Sequence, residues 1–165
     1  LLDTSGLNFA GDDETALRKI HYAKGLATMA ILNGPSALPL GGFEMIYNSP
    51  VSWIADNRLK GISPGVSAVT IHAEAEFAER HWDSPDEVRG PLMLEAAGEW
   101  LGSEVLEYQC HRWGFTLPQN PWHEKHFSNF ALRLSLAGDA FGGARVEGAA
   151  LSGIEAAAAA LTVAE

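Results

Sequence analysis

Residues 137–153, AGDAFGGARVEGAALSG, place a carboxylate, a glycine turn and a stretch of small residues in an order suited to holding a polar, flat ligand. Asp139 follows a short apolar run and precedes a turn, where its carboxylate can accept hydrogen bonds from a polyol. Gly142 and Gly143 carry no Cβ, so backbone there can come close to a ligand. The helix expected to begin near Arg145 to Gly148 points unpaired N–H groups at whatever lies before it, and their partial positive charge favours an anion. Gly148, Ala149, Ala150, Ser152 and Gly153 remove bulk from the first two turns, leaving room for a ring against backbone. The same small residues also suit close helix packing, with Asp139 as a helix cap, and the residue types alone leave both readings open.

A planar, electron-accepting group suits the arrangement, because a flavin that takes two electrons gathers negative charge on its pyrimidine edge, where a helix N-terminus is stabilising. The order of parts is strand, AGD, glycine turn, RVEGA, SG and terminal alanine-rich helix. That order resembles the flavin-containing amine oxidase superfamily. Within it, the CHRWGFTLP run at 110–118 and the SWIADNRLKG run at 52–61 are similar to renalase-like bacterial oxidoreductases. The resemblance implies FAD as cofactor, with Asp139, Arg145, Val146, Glu147, Gly148 and Ala149 as its contacts. It also implies an N-terminal Rossmann-type half that binds the ADP portion. No G-x-G-x-x-G follows any strand here, so the chain is expected to be the C-terminal part of such an enzyme, to lack firm hold of FAD, and to be inactive by itself.

His111 and Trp113 are the candidate catalytic residues. Both fall on one face of a strand, and the resemblance implies that this face looks into a substrate cavity over the flavin. The other reading makes Trp113 core and His111 a hydrogen-bonded sheet residue, with Arg112 on the opposite face paired to a carboxylate. Trp53 and Asn57 flank a strand end and are weaker candidates for the same cavity. His123 and His126 have a spacing found in zinc sites, but neither they nor His72 and His81 have a cysteine or third ligand beside them, so no metal is expected. Ser52 and Ser152 lack a nucleophile-elbow context, which argues against hydrolase chemistry.

The elements that must position these residues follow from pattern and turn chemistry. Asp12, Asp13 and Glu14 open a short helix that reaches Tyr22, favoured by the macrodipole. The apolar run 26–32 reads as a buried strand ending at Asn33-Gly34-Pro35. Runs 43–47 and 51–55 flank Asn48-Ser49-Pro50 as antiparallel neighbours. Residues 66–73 alternate as a half-buried strand, with Ser67, Val69 and Ile71 on one side. Ser84, Pro85 and Glu87 form a capping box for a helix carrying Val88, Leu92, Leu94 and Trp100 toward Gly102, kinked at Pro91. Residues 105–116 alternate again, Leu106, Tyr108 and Cys110 forming a core face and Glu107, Gln109, His111 and Trp113 the other. A strand at 132–137 precedes the C-terminal helix, and residues 1–6 read as the last turn of another.

The predicted fold class is α+β, a mostly antiparallel sheet with flanking helices. Residues 1–131 are expected to form the substrate-binding-type domain, and 132–165 an FAD-contacting strand-turn-helix that would complete an FAD-binding domain. The 165 residues are enough for one core. With 21 acidic and 11 basic residues the formal charge is −10, which disfavours nucleic acid and anionic membrane as partners. Cys110 is alone, which excludes an internal disulfide and fits a cytoplasmic protein. Two functions are carried forward. One is part of an oxidoreductase that takes a hydride from a reduced C–N substrate, an amine or a dihydronicotinamide, and hands the electrons to dioxygen. Its partners are a small-molecule substrate and the Rossmann half. The other is a non-catalytic α+β module whose exposed apolar face binds a partner or forms a homodimer.

Overall fold

The computed structural model describes residues 11–162 together with Gly6 and Phe9; the helical turn expected over 1–6 lies outside the described residues except at Gly6. The chain divides into two compact units, Lys24–Thr116 and the pair of segments Leu1–Ala23 and Leu117–Glu165. The fold is α+β, dominated by a mostly antiparallel five-stranded sheet with flanking helices, as expected.

The sheet strands are β1 (His21–Leu32), β2 (Phe43–Met45), β3 (Val51–Asp56), β4 (Ala68–Ala73) and β5 (Val105–Gln119), in the order β2-β3-β4-β1-β5. Their register follows from alternation. Ile54 stands opposite Ile71, and Ala30 opposite Val69, so the fully buried branched side chains share one face. Trp53 opposite His72 and Met29 opposite Thr70 share the other. β2 and β3 pair across the turn that Asn48, Ser49 and Pro50 predict.

Helices α2 (Ala75–Arg80), α3 (Asp86–Ala96) and α4 (Gly98–Leu101) contribute to the first face, where Leu26, Ile54, Val69, Ile71, Phe77, Met93 and Leu101 join one core. The expected helix face is corrected here. Leu94 and Trp100 pack against the core as half-buried side chains, but Val88 and Leu92 are exposed, and the buried stripe runs Arg89, Met93, Ala97, Leu101 at four-residue spacing through α3 and α4. An arginine on that stripe hid it from an apolar count. The guanidinium is buried because Asp86 and the Trp82 carbonyl accept its hydrogen bonds. The capping box also fails, since Pro85 is the N-cap and has no side-chain cap bond. Ser84 Oγ instead meets His81 Nδ1 at 3.2 Å. The helix runs on through Pro91, which lies on the exposed side, where water can satisfy the carbonyl of exposed Glu87 that loses its N–H partner.

The first helix, α1 (Gly11–Leu17), ends before Tyr22, and His21 already opens β1. On β5 the predicted core face holds only in part. Cys110 is buried against Thr28, and the Tyr108 ring lies where a Cβ on Gly90 would have to go, but Leu106 is 59% exposed. β5 is an edge strand, and most of its side chains are exposed.

In the other unit, β6 (Phe127–Asn129) and β7 (Leu134–Leu136) form a hairpin, with α5 (Asp139–Gly142) and α6 (Val146–Leu161) following. β6 was not foreseen, because three residues are too few to show a period. Its turn is held by Asn129 Oδ1, which accepts from the Leu132 N–H, and by Arg133 at a φ of 50°. The strand expected over 132–137 shortens to Leu134–Leu136 because that turn takes up its start.

Candidate functional site

The glycine turn and the helix after it meet backbone to backbone. A Cβ on Gly142 would lie 1.9 Å from the Gly148 carbonyl oxygen, and one on Gly148 would lie 2.5 Å from the carbonyl oxygens of both Gly142 and Gly143. Two glycines of the motif thus have a packing reason of their own. Ser152, fully buried on α6, accepts a hydrogen bond from the Gly138 N–H at 3.0 Å and ties the start of the turn to the second turn of the helix. Gly138 and Gly143 have φ values of 140° and 103°, which side chains rarely tolerate.

The start of α6 is left open by this packing. Arg145 is its N-cap in extended conformation and makes no side-chain cap bond, and Arg145, Val146 and Glu147 are exposed, Val146 at 90%. Bare N–H groups beside an exposed apolar side chain fit the polar edge of a flat ring. Trp122 adds a second feature that the sequence reading missed. Its backbone N–H donates to the Ala140 carbonyl, and its ring packs on Phe127 and Phe141. Its indole Nε1 is buried without an acceptor among the described residues, an orphaned donor next to α5.

Asp139, half-buried at the start of α5, already has one partner. The Tyr22 hydroxyl donates to Oδ1 at 2.7 Å. Burial, then that hydrogen bond, then the carboxylate's charge push the Tyr22 phenol up to about 12 from its usual 10.0. A raised folded-state value means that Tyr22 contributes stability in full below about pH 10 and loses it as pH rises through about 12. Tyr22→Phe is therefore expected to lower stability by about 1 kcal/mol near neutral pH and to flatten the alkaline decline. Urea unfolding from neutral to about pH 12 reads both; parallel declines in the two proteins would show that the pair contributes nothing.

In the Lys24–Thr116 unit, the sheet face away from the helices carries a shallow cavity of about 370 Å³ whose lining includes Met29, Ile31, Asn57, Thr70, Glu107 and Gln109. Asn57 Nδ2 donates to Thr70 Oγ1 at 3.0 Å, which orients both. Glu107 and Gln109 line this cavity, and His111 and Trp113, further along β5, are not part of its lining. Their rings meet edge to face, with centroids 4.5 Å apart, and Trp113 is 53% exposed. Arg112, on the other side of the strand, lies over the Trp82 ring at 5.6 Å rather than pairing with a carboxylate. Trp53 packs on His72 at 4.7 Å with Lys60 over its ring. Burial first, and the Lys60 charge second, lower the His72 pKa, so a neutral imidazole is favoured there. His81 stacks on Phe77 and His123 packs on Trp122. No cluster of three metal-ligating side chains occurs among the described residues.

No helix among the described residues is long and apolar enough to cross a membrane. No protein-family model matches the sequence, and no curated protein matches it. Among solved structures, an oxidoreductase from Methanosarcina mazei superposes with a TM-score of 0.60 at 17% identity, over 94% of this chain and 39% of that one. The two share a fold, and the chain spans about two fifths of the neighbour's length.

Proposed function

We propose that this chain is the C-terminal part of an FAD-dependent oxidoreductase of the amine oxidase type, renalase-like in its substrate-side strands. The observation that carries the reading is the open, uncapped start of α6 behind the Gly138–Gly143 turn. The likeness over nearly the whole chain to part of an oxidoreductase supports it. In this reading Arg145, Val146, Glu147, Gly148 and Ala149 hold the pyrimidine edge of the ring through the first turn of α6, and Asp139 keeps its remaining acceptor capacity for a ribityl hydroxyl. When bound, the flavin supplies hydride acceptance from a carbon next to nitrogen and delivery of the electrons to dioxygen.

The chain's own contribution is binding and orientation. His111 and Trp113 offer an exposed aromatic pair to a flat substrate ring, an amine-bearing or dihydronicotinamide group. The ADP portion needs a dinucleotide turn that this sequence does not contain. The reading thus requires a Rossmann-type half, and the 165-residue chain is expected to be purified without stoichiometric FAD.

The test is the spectrum of the longer protein. A flavin absorption band that weakens in Asp139→Ala, or when a bulky residue replaces Glu147, supports the reading. A colourless, flavin-free longer protein overturns it in favour of a non-catalytic interaction module.

A further inference from the structure

The two edges of the sheet are treated differently. β2 is three residues long and runs into Asn48, at a φ of 56°, and Pro50, the usual means of blunting an edge. β5 is fifteen residues long with no proline before Pro118, and between Val105 and Trp113 it leaves Leu106, Tyr108 and Trp113 between 37% and 59% exposed. Among the described residues no strand lies on its outer side. A long edge strand without proline is a template for another strand.

We infer that β5 pairs antiparallel with β5 of a second copy of this chain, two-fold symmetric about Gln109, so that Glu107 of each copy stands opposite His111 of the other. The charge pattern selects the occupant and the register. A two-fold axis normal to the sheet keeps each residue opposite one of the same face, as a continuous sheet requires. Symmetry about Glu107 or Arg112 sets like charges directly against each other. Symmetry about Tyr108 or Cys110 places Glu107 opposite Gln109 or Trp113. Symmetry about Gln109 forms the Glu107 to His111 contact twice and puts Val105 against Trp113, Tyr108 against Cys110 and Leu106 against Arg112, so carboxylate meets imidazole and no like charges face each other. The pairing draws on His111 and Trp113, which the flavin reading gives to a substrate ring, but it is tested by association of the chain and not by flavin content, so the two readings fail separately.

Sedimentation equilibrium on this chain reads the result. The unaltered chain is expected to dimerise at micromolar concentration. Glu107→Lys and His111→Glu, both at exposed positions, should each weaken dimerisation about tenfold, since each spoils two cross-strand contacts. The double variant E107K/H111E exchanges the partners and should return the dissociation constant to within about threefold of the original. Far-ultraviolet circular dichroism checks that all the variants keep the fold. A monomer at every concentration, a dimer indifferent to both single changes, or a double variant as weak as the single ones overturns the pairing. Monomeric behaviour would assign the edge to another part of a longer chain.

Discussion

Gly142→Ala is expected to lower stability by about 3 kcal/mol, and Gly153→Ala, eleven residues further on, to raise it by about 0.5 to 1 kcal/mol. The two substitutions add the same methyl group to the same motif. At Gly142 the new Cβ would lie 1.9 Å from the Gly148 carbonyl oxygen and 2.6 Å from its carbon, atoms of the first turn of α6 that cannot yield unless the helix moves. At Gly153, in the interior of that helix, the new Cβ meets nothing within 4 Å, and the only change is the conformational freedom the unfolded chain loses. Gly148→Ala should resemble Gly142→Ala, because its Cβ would approach two carbonyl oxygens at 2.5 Å. Urea midpoints of the three variants decide the matter. Shifts of the same sign and size at 142 and 153 would show that the turn and helix are not packed backbone to backbone.

Asp56→Ala is expected to cost about 3 kcal/mol. Asp56 closes β3 and is 2% exposed, and its carboxylate accepts from Ser36 Oγ at 2.6 Å and from the backbone N–H groups of Arg58 and Leu59 at 2.7 and 3.0 Å. Alanine would leave these donors without their acceptor and open space in the core layer. Asp56→Asn keeps the volume and one acceptor oxygen for the turn at 58–59, while its amide can donate to the Ser36 hydroxyl. Its cost should be about half as large. Thermal unfolding of the two variants separates the cases, and equal small losses for both would mean that the loops at 36 and 57–65 are held by other contacts.

Elements announced by a repeated pattern were legible in the sequence. The runs at 26–32, 51–55 and 66–73 became strands, and in the last the buried side is that of Ser67, Val69 and Ile71, as alternation marks, because a period of two leaves no choice of face once one side is apolar. The terminal helix begins where small residues follow Arg145. The α3 face was misread because Arg89 occupies a core position that only Asp86 and the Trp82 carbonyl make tolerable, and those partners are not visible as a period. Asp56 escaped notice for the same reason. It is a buried carboxylate whose three donors come from two separate loops.

The candidate site divides in the same way. The order of AGDAFGGARVEGAALSG singled out Asp139 and the helix start, since local chemistry and local spacing are enough to place a carboxylate before a turn and free N–H groups after it. Only the tertiary structure showed that Tyr22 takes one oxygen of Asp139, that Ser152 anchors Gly138, and that Gly142 and Gly148 touch each other. Tyr22 lies 117 residues from its partner, and nothing in a single sequence marks such a pair. The longer strands, the composition of the turn and the α+β class were legible because they depend on neighbours along the chain. The tertiary structure decided which edge of the sheet lies open, which charged groups are buried with partners, and which glycines serve packing, because each depends on atoms that only folding brings within a few ångströms.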